Sequence, residues 1–180
     1  PLPPDAARLH VTGAAHYVDD IPTPRDTLHL AFGTSPAAAG TLTALDLDAV
    51  RTAPGVVAVM TAADLPFAND VSPSNHDEPL LATDAVHYLG QPLFLVIATS
   101  HGAARRAARL GRATITETTP ILTIEQAEAA DSRFEDGPRI YARGDLDAGF
   151  ADAPHRLSGV MEIGGQEHFY LEGQAALALP

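Results

Sequence analysis

The sequence predicts an α+β fold in which a front module is followed by the truncated start of a second one. Three observations carry that reading. Short segments alternate apolar and polar residues with period two, the apolar run Pro92 to Ala98 has the length of a strand, and the helix signals are brief and capped. A change of character near Thr119-Pro120 separates the two modules, so residues 1–119 and 120–180 are the expected domains.

In chain order, the Pro-rich residues 1–26 lack periodicity and read as an extended arm, with a short strand at Tyr17-Val18 before the turn Asp19-Asp20-Ile21-Pro22. Leu28 to Phe32 and Thr41 to Leu45 both alternate, which suggests paired strands flanking the loop Ser35 to Gly40. Asp46 is placed to cap a short helix that buries Leu47 and Val50. Pro54-Gly55 ends it before a strand from Val56 to Met60, and Thr61 to Asp64 make one helical turn. The stretch Leu65 to Thr83, with three prolines and with Asp70, Asp77 and Glu78, is too long for a mere connector.

The clearest unit comes next. A strand from Leu93 to Ala98 leads to a helix capped by Ser100 and closed by Gly111, then to a strand from Ala113 to Glu117. Ala103, Ala104, Ala107, Ala108 and Leu110 give that helix a small-residue face suited to close packing on a sheet, with Arg105, Arg106 and Arg109 opposite or beside it. Thr123 and Gln126 form a capping box for a helix reaching about Ala130. After the polar stretch Asp131 to Pro138, Gly144-Asp145 starts a short helix that Pro154 ends. Strand patterning resumes from Leu157 to Ile163 and, beyond Gly164-Gly165, from Gln166 to Leu171.

Composition removes whole classes of chemistry. The 180 residues contain no Cys, and all 11 basic residues are Arg. There is thus no disulfide, thiolate nucleophile or cysteine-held cluster within this stretch, and no lysine for a P-loop or Schiff base. A net charge of −12 opposes binding to nucleic acid. Residues 1–90 carry 3 Arg against 11 carboxylates and residues 91–180 carry 8 against 12, so partners are expected in the second half. No apolar run approaches the roughly 20 residues of a membrane span, and none has the form of a secretory leader. Both ends read as cut from a longer chain.

Candidate chemistry concentrates near the end. A glycine pair inside a strand pattern marks a bulge or a place where something approaches the backbone. Gln166 follows at once, and its amide can orient an oxo group or ring edge without adding charge; equally, it can satisfy a neighbouring backbone group. His168 and Glu172 have the chemistry of metal ligands or of an acid and base pair, but no third ligand stands at a recognisable spacing, and a half-buried strand explains them as well. Asp19-Asp20, the Arg105, Arg106, Arg109 and Arg112 cluster, and His76-Asp77-Glu78 have plainer readings as a turn, a solvated helix face and a loop. Neither GxGxxG nor GxSxG is present.

Four stretches together resemble one family. Gly13 to Pro22 (GAAHYVDDIP), Pro54-Gly55-Val56, Gly90-Gln91-Pro92 and above all Ile163 to Glu172 (IGGQEHFYLE) are similar to the molybdopterin-containing part of xanthine dehydrogenases. These belong to the molybdenum hydroxylases, with aldehyde oxidases and carbon monoxide dehydrogenases. The resemblance covers nearly the whole chain in order, and its last motif points to the xanthine and aldehyde branch.

The resemblance implies an α/β-hammerhead domain over residues 1–119 and the beginning of a molybdopterin-binding domain over 120–180. It implies that Gln166 lies beside the molybdenum and hydrogen-bonds to its oxo ligand, and that Gly165 lets the backbone come close to the cofactor. It further implies hydroxylation of a purine, hypoxanthine or xanthine to urate, with oxygen from water, electrons leaving through 2Fe-2S clusters and FAD to NAD. Those clusters and the FAD would sit in another domain or in a small Fe-S/FAD subunit. The remaining partners implied are the rest of the molybdopterin-binding subunit and the purine, in a cytoplasmic hetero-oligomer (a dimer of heterodimers) without nucleic acid or membrane. No catalytic residue is expected within this stretch, which alone should be inactive, because the family's catalytic glutamate and substrate-holding residues lie beyond Pro180. Two rival readings stay open: an aldehyde- or N-heterocycle-oxidising relative, and a scaffold domain whose contact with metal is incidental.

Overall fold

Two three-stranded antiparallel sheets organise the front of the chain in a computed structural model that describes residues 4–133, 137 and 139–179. In chain order the elements are α1 (Ala7–Thr12), β1 (His29–Thr34), β2 (Gly40–Asp46), α2 (Asp48–Arg51), β3 (Val56–Met60), β4 (Ala85–Val86), β5 (Pro92–Ala98), α3 (His101–Ala108), β6 (Arg112–Glu117), α4 (Ile124–Ala129) and α5 (Leu146–Asp152). Short 3-10 turns lie at Val18–Asp20 and Ala62–Asp64. The chain divides into two compact units, Pro24–Ser132 and the described residues of 1–23 and 133–180.

One sheet has the order β1-β5-β3 and the other β4-β2-β6. The two alternating segments near the start are therefore strands, but they do not pair with each other as expected. β1 pairs with β5, Leu30 opposite Ile97 and Phe32 opposite Leu95, while β2 pairs with β6, Leu42 opposite Ile115. Alternation fixes which face a side chain takes and says nothing about which strand lies alongside.

The core of this unit gathers Leu47 and Val50 around α2, Leu93, Phe94 and Val96 of β5, Val86, Ala82 and Ala107. Each large side chain so buried contributes about 1.5–3 kcal/mol. The alanine face of α3 packs as its composition predicts: Ala103 and Ala104 meet Ala98 and Ala31, and small side chains let helix and sheet approach closely. Ser100 caps α3 by accepting the Ala103 N–H at 3.2 Å. Gly111 has a different role from the expected helix stop, because α3 ends at Ala108 and Arg109 is its C-cap. A Cβ on Gly111 would stand 2.4 Å from the Phe94 ring, and one on Gly33 1.9 Å, so both glycines make room for that phenyl group. Asp46 likewise sits one step outside the cap position, which Leu47 takes, and its carboxylate accepts the Asp48 N–H at 3.1 Å.

The opposite face of the first sheet, with Leu30, Phe32, Leu95, Ile97 and Met60, is apolar and half to partly exposed. The long stretch from Leu65 to Thr83 carries no helix or strand, yet it is ordered by polar contacts. The Asn69 side chain clasps Leu81, donating to its carbonyl at 2.7 Å and accepting its N–H at 2.9 Å. The Ser72 hydroxyl accepts the N–H groups of Ser74, Asn75 and His76. Buried Gln91 accepts the His87 N–H at 2.7 Å and closes the Tyr88 to Gly90 turn.

In the other unit the N-terminal arm departs from its extended expectation. Ala7–Thr12 is helical and ends at Gly13, whose φ of +70° and N–H bonds to the carbonyls of Leu9 and His10 make a left-handed cap. Tyr17-Val18 is the start of a 3-10 turn rather than a strand. α5 begins at the Asp145 cap, its carboxylate accepting the Ala148 N–H, as expected. The strands expected from Leu157 to Ile163 and from Gln166 to Leu171 are absent: this stretch is extended or bent, and no described strand pairs with it. Period-two patterning makes a strand only where a neighbour accepts its backbone hydrogen bonds. Part of the stretch from Asp131 to Pro138 lies outside the described residues. Among the described residues no helix is long and apolar enough to cross a membrane.

Candidate functional site

The Gly164-Gly165-Gln166 stretch is exposed, and apart from chain neighbours nothing lies within 4 Å of where either glycine's Cβ would be. Among the described residues no hydrogen bond engages the Gln166 side chain, so two amide donors and a carbonyl face outward. Beyond it the backbone folds sharply. Phe169 has a φ of +56°, a left-handed conformation that interrupts any strand, and the Glu167 carboxylate accepts the Phe169 N–H at 3.4 Å. The rings of His168 and Tyr170 stack at 5.6 Å with an interplanar angle of 1°.

Glu172 closes this turn. Its Oε1 accepts the Val18 N–H at 2.5 Å, a charge-assisted bond between residues 154 positions apart. Val18 opens the 3-10 turn, where Asp20 accepts the Tyr17 N–H at 2.9 Å. An N–H at the start of a helical turn has no acceptor within the turn, and Glu172 supplies one. His168 and Glu172 are therefore each engaged elsewhere, one in ring stacking and the other in this bond. Nothing local in the sequence signals the partnership of Glu172 with Val18; only an orphan donor facing a distant carboxylate could have suggested it.

Several of the remaining sequence candidates take structural roles. Asp20 serves the turn, the His76 ring contacts Asp70, and Asp77 accepts from Ser72. Asp70 is held below the usual carboxylate range by its hydrogen bond to the His76 ring and by the Ser72 N–H. Arg105 and Arg109 border a cavity of about 350 Å³ lined wholly by residues of the front unit, among them Phe94, Gly33 and Gly111. Among the described residues no three His, Cys, Asp or Glu side chains gather as metal ligands.

On the side it presents, the segment is open to the approach of a group that accepts hydrogen bonds. Two glycines without crowding leave room for close approach, and the free amide of Gln166 donates without bringing a charge.

Residues 12–117 match the family model described as aldehyde oxidase and xanthine dehydrogenase, a/b hammerhead domain. The chain belongs to the aldehyde oxidase and xanthine dehydrogenase family. Residues 132–180, which contain Gln166 and Glu172, match the model of the molybdopterin cofactor-binding domain. The order of these matches is that of the expected fold, a hammerhead domain followed by the start of a molybdopterin-binding domain.

Within the family, the chain is 41% identical to xanthine dehydrogenase of Drosophila subobscura over 97% of its length and 13% of that protein's. It is also 41% identical to aldehyde oxidase 1 of Cavia porcellus, over 95% of this chain and 12% of that one. Aldehyde oxidoreductase from Desulfovibrio gigas superposes with a TM-score of 0.69 at 28% identity, covering 85% of this chain and 19% of that structure. The chain thus spans about 13% of the length of the xanthine dehydrogenase it matches.

Proposed function

We propose that this chain is the N-terminal portion of the molybdopterin-binding subunit of a xanthine dehydrogenase, an enzyme that hydroxylates hypoxanthine and xanthine to urate with oxygen from water. Residues 1–119 form its hammerhead domain and residues 120–180 the beginning of its cofactor domain. Electrons pass by way of 2Fe-2S clusters and FAD, held by a small subunit or a further domain, to NAD. The assembly is a cytoplasmic dimer of heterodimers. The observation that carries this reading is the open Gly164-Gly165 pair with the unengaged Gln166 amide, inside the stretch matched by the molybdopterin cofactor-binding model.

When bound, the molybdenum cofactor supplies a two-electron redox centre for hydroxylation by water-derived oxygen. Gln166 would help hold that group by donating an amide N–H to its oxo ligand, without changing the local charge. Gly165 keeps side-chain bulk out of the approach. Neither residue moves a proton, so the acid–base work and the holding of substrate fall to residues outside this stretch.

A second reading, oxidation of aldehydes or N-heterocycles, draws support from the equal identities of 41% to a xanthine dehydrogenase and to an aldehyde oxidase. One experiment addresses both. In the complete enzyme, Gln166→Ala should lower turnover of xanthine by about 10- to 100-fold and alter the Mo(V) spectrum. Turnover and spectrum both like the wild type would remove Gln166 from the site. Wild-type oxidation of an aldehyde or quinoline in preference to xanthine would favour the second reading.

A further inference from the structure

We propose that Glu172 is a positioning residue for Gln166: by accepting the Val18 N–H it fastens the far end of the Gly164 to Glu172 turn to the N-terminal arm, and so fixes where the glutamine amide stands. The inference rests on the reading of Gln166 given above.

The near end of the turn cannot do this. Gly164 and Gly165 have the greatest backbone freedom of any residue type, and nothing beyond their chain neighbours lies within 4 Å of where a Cβ would stand to confine them. Inside the turn, the Glu167 to Phe169 bond and the stacking of His168 on Tyr170 each span two residues. They shape the turn and leave its place in the molecule undetermined. Among the described residues, the bond from Val18 to Glu172 is the one hydrogen bond that joins this turn to another part of the chain. Glu172 is also the one partly buried side chain between Gln166 and Glu172, the others being exposed.

The anchor itself is well made. Val18 lies in a 3-10 turn that Asp20 closes onto the Tyr17 N–H, so the N–H offered to Glu172 is held in direction. Without the clamp, a stretch with two glycines at its root samples many positions, and a donor displaced by about 1 Å can lose up to about 100-fold in rate. Glu172 touches neither cofactor nor substrate in this scheme; it acts through Gln166.

The test uses the complete enzyme with Glu172→Ala, Glu172→Gln and Gln166→Ala. Amide hydrogen exchange at Val18, the Mo(V) spectrum, kcat and KM are measured for each. For Glu172→Ala, Val18 should exchange about tenfold faster, as expected for loss of a charge-assisted bond. Its kcat should fall roughly 10-fold or more with KM little changed, and its spectrum should shift toward that of Gln166→Ala. Glu172→Gln keeps an acceptor oxygen and should recover most of both.

Unchanged Val18 protection in Glu172→Ala overturns the proposal, and so does faster exchange with wild-type kcat and spectrum. Gln166→Ala tells the two failures apart. If it is silent, the reading of the site falls; if it is impaired while Glu172→Ala turns over normally, only the positioning role falls. Should Glu172→Ala not accumulate folded, Glu172→Asp, whose carboxylate is one methylene shorter, carries the same readouts. Lost protection with lowered kcat supports the clamp, and wild-type values for either overturn it.

Discussion

Phe94 and Phe169 place the same side chain in opposite circumstances. Phe94, 2% exposed, lies in the middle of β5, and two glycines make room for its ring. Phe169, 90% exposed, sits in a left-handed turn and buries almost nothing. The front unit is held by apolar burial and sheet ladders. The stretch around Gln166 is held by a few polar contacts, of which, among the described residues, only the bond to Val18 reaches beyond the turn. A stretch whose polar groups stay free cannot be buried in the core of its own unit. Its placement then depends on individual hydrogen bonds, which makes it sensitive to single substitutions that a packed core would absorb.

Substituting the two phenylalanines tests that contrast most strongly. In this chain Phe94→Ala should cost about 3–5 kcal/mol, from lost burial and the cavity left between Gly33 and Gly111. Phe169→Ala should change stability by less than about 0.5 kcal/mol. Phe169→Gly should gain up to about 1 kcal/mol by relieving the left-handed backbone. Denaturant unfolding followed by circular dichroism reads all three, and comparable losses at both positions would abolish the distinction between the regions.

A smaller effect lies in the helix caps. Ser100→Ala removes the acceptor of the Ala103 N–H and should cost about 1 kcal/mol, with Ser100→Gly costing only a few tenths. Because α3 packs its alanine face on the sheet, that loss should appear in global unfolding of the front unit. A Ser100→Ala protein that unfolds with the wild-type midpoint would mean that packing alone holds the helix.

The same division governs how much the sequence disclosed. Local signals were legible wherever neighbouring residues decide the structure: the Ser100 cap, the Thr123 and Gln126 capping box, the helix start at Gly144-Asp145 and the alanines of the α3 face stand as read, whereas Leu110, read as part of that face, lies beyond the helix and is exposed. Strand partners were not, because Leu30 and Ile97 are 67 positions apart and alternation carries no address. α1 was missed because prolines dominated the reading of the arm, although Gly13 was there to close a helix. Gln166 was singled out by its motif, and its place beside the cofactor is the proposal made above. The stretch around it was misread as a strand, since the pattern could not reveal the left-handed Phe169 or the missing neighbour. Glu172 was recognised as part of a motif, but its role depends on a backbone donor at Val18 that leaves no trace in composition.

The smallest effect sharpens the comparison from within the front unit, where the Leu65 to Thr83 loop is also held mainly by polar contacts. Asp70 is its junction, one carboxylate oxygen at the His76 ring and the other accepting the Ser72 N–H at 2.9 Å. Both contacts favour the ionised form, so the carboxyl titrates lower in the folded chain than in the unfolded one. A group whose folded pKa is depressed contributes stability that is present above its unfolded value, about 3.9 for Asp, and lost as pH falls through the lower folded value. The loop should therefore hold its shape at neutral pH and loosen at strongly acidic pH, while the apolar contacts of the neighbouring core persist. Carbon-13 titration of the Asp70 carboxyl should give a midpoint below about 3.9, and Asp70→Asn should speed amide exchange at Ser72 at neutral pH with little change in the unfolding midpoint. A midpoint at the ordinary value would mean that the loop keeps its shape by the Asn69 clasp on Leu81 and the Ser72 hydroxyl without help from Asp70.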